Sequence, residues 1–325
     1  MKFPRRRFLH LAAGAVLPAI SRSAMAQAYP SRPVRLILPF QAGGGTDVVA
    51  RLIANQLSTI WGQQVVVENR AGAAGNIGAQ VVVQAPPDGY TMLVGSVSLS
   101  TNPFLYSTLG YDPAADLAPV TLICVFPNIL VVPLSSPART VQEFIDFAKA
   151  NRGKVAFGSS GAGASPHLSG ELFKRLARVE MTHVPYRGGA AVLNDLIPGR
   201  VDAYFGNLPG QLPQVQSGVI RGLGVTSAKR SALAPQFPTI AEAGVPGYDV
   251  TSWYALFLPA KTPPDIVKKV HDDTVSALAH PAVKQNLESM GADVMPSTPA
   301  ELADHLQSEM AKWRPIIREL GIKGE

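Results

Sequence analysis

Short apolar runs and amphipathic segments take turns along most of this chain. Val34–Leu38, Val65–Val67, Thr91–Gly95, Val155–Phe157, Val201–Phe205 and Leu223–Val225 are rich in β-branched residues and nearly all apolar. That is the pattern of strands covered on both faces. The segments between them repeat apolar residues at helical spacing and carry start signals. Thr140-Val141-Gln142-Glu143 and Thr298-Pro299-Ala300-Glu301 are capping boxes, the second with proline at the first helical position. Ser165-Pro166 and Thr262-Pro263 read as further helix starts. Strand–helix alternation on this scale predicts an α/β fold with mainly parallel sheets.

Two stretches break the alternation. Val120–Val132 is a long extended run interrupted by Pro127, and Val250–Leu258 is another, holding Trp253, Tyr254 and Phe257. If each is a strand passing from one domain to the other, residues 27–121 and 251–325 form one lobe and 122–250 the second. A single large sheet is the alternative reading of the same pattern.

The N-terminus changes the meaning of the charge. Arg5-Arg6-Arg7-Phe8-Leu9-His10, an apolar run from Leu11 to Ile20 and then Ala24-Met25-Ala26 form a basic region, a short hydrophobic region and a small-x-small cleavage site. Residues 1–26 therefore read as a secretory signal, with the arginines and Phe-Leu fitting the twin-arginine type. The segment holds five bases and no acid, so 29 − 5 = 24 bases remain against 23 acids, and the net charge falls from +6 to +1. A surface so nearly neutral gives no reason to expect nucleic acid or a membrane surface as a partner. No later stretch is long and apolar enough to span a bilayer. Cys124 is the only cysteine and lies in the apolar run Val120–Val125, which fits a buried inert thiol.

Two loops carry the candidate chemistry. Pro39-Phe40-Gln41-Ala42-Gly43-Gly44-Gly45-Thr46-Asp47 follows the first strand and leads into a helix. Its glycines bring bare N–H groups close to a ligand, and with the helix N-terminus behind them they form an anion site. Thr46 or Asp47 is expected to cap the helix, with Asp47 holding the loop because a carboxylate facing an anion repels it. Gly158-Ser159-Ser160-Gly161-Ala162-Gly163-Ala164-Ser165-Pro166-His167 repeats the design after Val155–Phe157. One such loop from each lobe, Gly43–Asp47 and Ser159–Ser165, would grip one anion from both sides. Either loop alone is equally a structural strand-to-helix turn. His183-Val184-Pro185-Tyr186-Arg187-Gly188-Gly189 is a third candidate region, in which Tyr186 offers a hydroxyl and Arg187 a counter-charge. A packed Tyr186 with a solvated Arg187 is the plainer alternative. Ser96, Ser98, Asn102 and Asn207 follow strands at their C-terminal ends, where open α/β sheets bind ligands.

Other chemistries fit less well. Neither glycine loop is G-x-x-x-x-G-K-[ST] or G-x-G-x-x-G, and neither contains Lys or Arg, against a nucleotide phosphate. Gly158-Ser159-Ser160-Gly161-Ala162 approaches a nucleophile elbow but ends in alanine, leaving a secreted hydrolase using Ser160 as the rival reading. Metal-ligand spacings are lacking, and no cofactor is expected.

At these residues the chain resembles the substrate-binding receptors of tripartite tricarboxylate transporters, the Bug receptor family. The similarity runs through Pro39–Asp47, Val67-Glu68-Asn69-Arg70, Gly75-Asn76-Ile77-Gly78-Ala79 and Pro87-Asp88-Gly89-Tyr90-Thr91. It continues through Gly158–Gly163, His167-Leu168, Gly170-Glu171, His183–Gly189, Val225–Arg230 and Ser252-Trp253-Tyr254. The resemblance implies a type II periplasmic binding protein, two lobes joined by crossover strands, that is not an enzyme. It implies a receptor that holds a small carboxylate between the lobes and delivers it to integral membrane subunits; a monomer is expected, and a sensor serving a signalling partner is a third reading. The resemblance implies the pincer Gly43–Asp47 against Ser159–Ser165, and with the residues read from position the candidate pocket comprises Phe40, Gly43, Gly44, Gly45, Thr46, Asp47, Ser96, Asn102, Ser159, Ser160, Gly161, Gly163, Ser165, Tyr186, Gly188 and Asn207. Gly206 stands where relatives often carry aspartate, which makes an amine-bearing ligand less secure.

Overall fold

The computed structural model describes residues 29–324, so the signal segment 1–26 lies outside the described residues. The first part of the chain runs β1 (Val34–Leu38), α1 (Gly45–Trp61), β2 (Val65–Asn69), α2 (Asn76–Val83), β3 (Thr91–Ser96), α3 (Ser98–Leu105) and α4 (Pro113–Asp116). A 17-residue strand, β4 (Leu117–Pro133), follows. The middle part is α5 (Val141–Ala150), β5 (Val155–Ser159), α6 (Ser165–Ala177), β6 (Met181–Pro185), α7 (Gly189–Leu196), β7 (Ala203–Asn207), α8 (Leu208–Gln216) and β8 (Ile220–Val225). The last part is β9 (Thr251–Pro259), α9 (Pro264–Ala279), α10 (Pro281–Ser289), β10 (Asp293–Val294) and α11 (Pro299–Leu320).

Each lobe is built from three parallel strands closed by an antiparallel crossover strand. In the first, β1 pairs in parallel with β2 and β3, and β3 pairs antiparallel with β9. In the second, β5 pairs in parallel with β6 and β7, and β7 pairs antiparallel with β4. Parallel order is thus confined to the outer strands of each sheet. The inner strands must be antiparallel because the chain enters and leaves the second lobe along the same seam. β4 pairs with β9 as far as Pro127 and with β7 and β8 from Asn128 onward. Pro127, lacking an N–H, sits where the ladder changes partners, a position at which a missing donor costs least.

The apolar pattern accounts for the layers. Along α1, Val49, Ala50, Ile53, Ala54 and Leu57 are buried, a stripe at helical spacing that faces the sheet, and Gly62 ends the helix in the left-handed region at φ 61°. That stripe joins Val34, Leu36 and Leu38 of β1 and Leu256 and Leu258 of β9 in one face of the first lobe's core. The corresponding face of the second lobe is filled by Ile129, Val192, Leu196 and Leu212. The opposite faces of both lobes share a continuous core that includes Ile37, Leu93, Phe157, Phe173, Phe205, Trp253 and Trp313. Helix α11 lies over this shared face. Its buried Glu309 accepts the indole N–H groups of Trp253 at 3.3 Å and Trp313 at 3.1 Å. Cys124 is fully buried in β4, and burial pushes its thiol up. Thr140 and Thr298 cap α5 and α11 as their sequence signals predict. Helix α9 starts at Pro264 with Pro263 as N-cap, one residue later than Thr262-Pro263 suggested. Among the described residues, no helix is long and apolar enough to cross a membrane.

Candidate ligand-binding site between the lobes

The first glycine loop connects β1 to α1. Gly43 has φ +84°, a conformation that favours glycine. The helix begins at Gly45 with Gly44 as N-cap and no side-chain cap, so neither Thr46 nor Asp47 caps it. Asp47 instead reaches back across the turn. Its Oδ2 accepts the Gly43 N–H at 3.1 Å and Arg51 Nε–H at 2.9 Å, while Oδ1 accepts from Asn69 at 3.0 Å. Burial works to raise the Asp47 pKa, but the bonds from Arg51, Asn69 and Gly43 outweigh it and hold the carboxylate below its ordinary value. Its charge is therefore spent within the loop. Thr46 Oγ1 donates to the buried Tyr254 hydroxyl at 2.7 Å. The amides of Gly44, Gly45 and Thr46 have no backbone partner among the described residues.

The second loop connects β5 to α6 and uses a different lock. Gly163 N–H donates to His167 Nδ1 at 3.0 Å, and Ser159 Oγ lies 2.6 Å from His183 Nε2. The two imidazoles stack with centroids 3.7 Å apart. Burial pushes His167 down to about 3, with His183 adding to the effect, and pushes His183 down to about 4. Both rings are neutral at physiological pH, which leaves His167 Nδ1 free to accept the loop amide. Ser160, Ala162 and Ser165 keep backbone N–H groups without a backbone partner among the described residues.

Between the loops lies a narrow inner chamber of about 30 Å³. Five helix N-termini border it: α1 through Gly44–Thr46, α3 through Val97, α6 through Ala164–Pro166, α7 through Gly189 and α8 through Gly210 and Gln211. The rest of its wall is Phe40, Gln41, Ser96, Ser160, Tyr204, Asn207, Ser252 and Tyr254. Among the described residues no Asp, Glu, Lys, Arg or His lines it. Positive potential there comes from helix ends and unpaired amides alone, each end contributing about 0.3–1 kcal/mol toward an anion and ~2 kcal/mol when partly buried. An outer chamber of about 460 Å³ opens beside it, sharing Phe40 and Ser160 and bordered by Gly161, Tyr186 and Arg187.

The lobes meet directly across the cleft. Gln41 N–H donates to the Arg187 carbonyl at 3.3 Å, and Thr101 Oγ1 donates to the Gly163 carbonyl at 2.8 Å. A Cβ placed on Gly45 would lie 2.6 Å from the Gly210 nitrogen, so backbone touches backbone where α1 faces α8.

The candidates from sequence fall into three groups. Phe40, Gly44, Gly45, Thr46, Ser96, Ser160, Ser165 and Asn207 line the inner chamber. Gly161 and Tyr186 border only the outer one, and Asn102 borders a smaller cavity behind the first loop. Gly43, Asp47, Ser159, Gly163 and Gly188 border none of these spaces and shape the loops instead. Ser159, for example, is fully buried with its hydroxyl on His183. Gln41, Val97, Ala164, Pro166, Gly189, Tyr204, Gly210, Gln211, Ser252 and Tyr254 also line the chamber but were not among the expected pocket residues. A signal for Gly210 and Gln211 existed, because Asn207-Leu208-Pro209 places proline at the start of a helix directly after a strand.

A family model described as the tripartite tricarboxylate transporter family receptor matches residues 49–322. The chain belongs to this receptor family. It is 39% identical over 316 residues to the UPF0065 protein in the tcbD-tcbE intergenic region of Pseudomonas sp. (strain P51), covering 97% of this chain and 94% of that one. Among solved structures it is similar to R. palustris Rpa4515 with adipate, at 41% identity and TM-score 0.88, covering 91% of this chain and 99% of that one. It is likewise similar to the periplasmic binding protein BugD, at 32% identity and TM-score 0.88, covering 91% and 100%. The two-lobed α/β fold is thus that of the Bug-type solute-binding proteins, and the family is one of receptors rather than of enzymes.

Proposed function

We propose that this receptor captures a small organic acid in the periplasm, closes its lobes around the carboxylate, and presents the closed form to integral membrane transporter subunits. The observation that carries the reading is the inner chamber, where five helix N-termini converge and no charged side chain intrudes. A single carboxylate suits such a site, since hydrogen bonds to a charged acceptor contribute roughly 1.5–3 kcal/mol each. A nucleotide phosphate would call for cations that the wall lacks. The adipate held by Rpa4515 supports the same chemistry. The contacting groups we assign are the amides of Gly44, Gly45 and Thr46 in one lobe and those of Ser160 and Ser165 in the other, with Asn207 and Ser96 beside them.

The rigid units are the two lobes, and the hinge is best set where β4 changes partners. That moves the first pivot from 121/122 to Pro127–Asn128. The twin-arginine leader directs export to the periplasm, and the mature chain acts as a monomer. Turnover is not part of this function. Among the described residues no histidine hydrogen-bonds Ser160, because His183 is engaged by Ser159.

The test is calorimetry with mono-, di- and tricarboxylates, joined to small-angle scattering of each complex. At least one acid should bind and reduce the radius of gyration. Binding confined to cations or neutral sugars, or tight binding without compaction, sinks the proposal.

A further inference from the structure

Gln211 is an anomaly in the chamber wall. It sits in the first turn of α8, is 3% exposed, and lines the inner chamber. Its Oε1 is buried without a hydrogen-bond partner, and its Nε2 has none among the described residues either. Its place depends on Gly206. A Cβ there would lie 2.5 Å from Gln211 Cγ and 2.7 Å from its carbonyl carbon. The glycine thus admits a side-chain amide whose buried Oε1 the protein leaves unsatisfied. Buried polar groups are nearly always paired, and an exception calls for an explanation.

A primary amide presents one donor and one acceptor side by side. A half-turn of the group exchanges them without changing what it can bind. Its complement is an acceptor and a donor on neighbouring ligand atoms, as in a carboxylate oxygen with an adjacent hydroxyl. An ammonium also donates, but no carboxylate lines the chamber to balance its charge once closure removes water.

We infer that Gln211 is a specificity-determining residue that reads a hydroxyl beside the ligand carboxylate, so that the receptor prefers 2-hydroxy acids to their deoxy and amino counterparts. The inference rests on the carboxylate reading above.

Calorimetry with matched sets tests it, using lactate, propionate and alanine, then malate, succinate and aspartate, then 2-hydroxyglutarate, glutarate and glutamate. In any set that binds, the wild-type protein should favour the hydroxy acid at least tenfold. Gln211→Met keeps the side chain's length without its hydrogen-bonding groups. It should bring the hydroxy and deoxy acids to within about threefold, mainly by weakening the hydroxy acid. Should that variant melt early, Gln211→Glu decides the matter. Its carboxylate should shift preference from the hydroxy acid toward the amino acid. A wild-type protein indifferent to the hydroxyl, or variants that keep the original preference, overturn the role of Gln211 and leave carboxylate binding standing. Failure of every acid to bind removes both readings.

Discussion

Adding one methyl group at Gly45 should weaken ligand binding while leaving the lobes intact. The position has an ordinary backbone conformation in the first turn of α1, and alanine suits a helix better than glycine does. In the closed arrangement, however, the new Cβ would lie 2.6 Å from the Gly210 nitrogen and 2.8 Å from its Cα. Ordinary contact begins near 3.4 Å, so about 0.8 Å must be found, and the obstacle is backbone rather than a movable side chain. Overpacking of this kind costs about 1–3 kcal/mol. Only the closed form bears that cost, so it emerges in the dissociation constant as a loss of roughly 5- to 150-fold. Two neighbouring substitutions calibrate the effect. Gly210→Ala meets the Gly45 nitrogen at 3.0 Å and should cost less, while Gly44→Ala meets nothing nearer than 3.8 Å and should behave almost as wild type. Calorimetry with the best-binding acid gives the three constants, melting curves without ligand show whether the lobes are sound, and scattering with ligand reports closure. If Gly45→Ala binds within twofold of wild type, or Gly44→Ala proves the worst of the three, the closed geometry described here is wrong.

Two further outcomes follow from groups away from the chamber. Thr226 is fully buried, accepts the Asn128 N–H at 2.7 Å and donates to the Val250 carbonyl at 2.7 Å, tying the two crossovers together. Thr226→Val strands both partners at about 1–3 kcal/mol each, so its melting temperature should fall by roughly 5–10 °C, and a fall under 2 °C would show that the clasp is unimportant. His167 and His183, held down to about 3 and about 4, take protons in the unfolded chain before they do so in the folded one. Their contribution to stability is complete above pH 6.5 and declines as the pH drops from there toward those folded values. Ring C–H resonances should stay flat from pH 8 to 5.5 while the melting temperature falls below pH 6.5, and a titration midpoint near 6.5 for either ring would refute the buried stack.

The strands were legible because both of their faces are covered, which leaves almost uninterrupted apolar runs such as Val34–Leu38, and β1 occupies those same residues. The crossovers were legible because Val120–Val132 and Val250–Leu258 are extended runs that break the strand–helix alternation, and β4 and β9 follow them closely. What sequence could not supply was the division of labour within a loop. Gly43 and Gly44 look alike on paper, yet the amide of Gly43 is taken by Asp47 while Gly44 lines the chamber and its amide has no backbone partner among the described residues. The difference depends on Asn69 and Arg51 orienting the Asp47 carboxylate, and on a left-handed φ at Gly43. Ser159 and Ser160 pose the same problem, since only the position of His183 on the neighbouring strand shows which hydroxyl turns inward. Gln211 was invisible for another reason. Its importance lies in bonds it does not make.

The absence of a cation from the chamber wall bears on how a receptor can both hold and release its cargo. A buried arginine would bind a carboxylate strongly, but in the empty closed form it would be an unpaired charge cut off from water. Helix ends and amides avoid that extreme, because their partial charges are already spread over backbone that stays hydrogen-bonded elsewhere. The gap between the full and empty closed forms then depends on a few N–H bonds to the anion, at roughly 1.5–3 kcal/mol each. Three or four such bonds suffice, before the cost of ordering, for the ~8 kcal/mol of a micromolar complex. Direct links between the lobes, such as Thr101 to Gly163 at 2.8 Å and Gln41 to Arg187 at 3.3 Å, lie outside the inner chamber's wall or at its edge. The chain from Thr46 through Tyr254 to Asn207 begins with a 2.7 Å bond inside the first lobe, but it crosses to the second at 3.4 Å. The interlobe step is the weakest in that chain, as it should be if the ligand, and not the protein alone, decides when the cleft is shut.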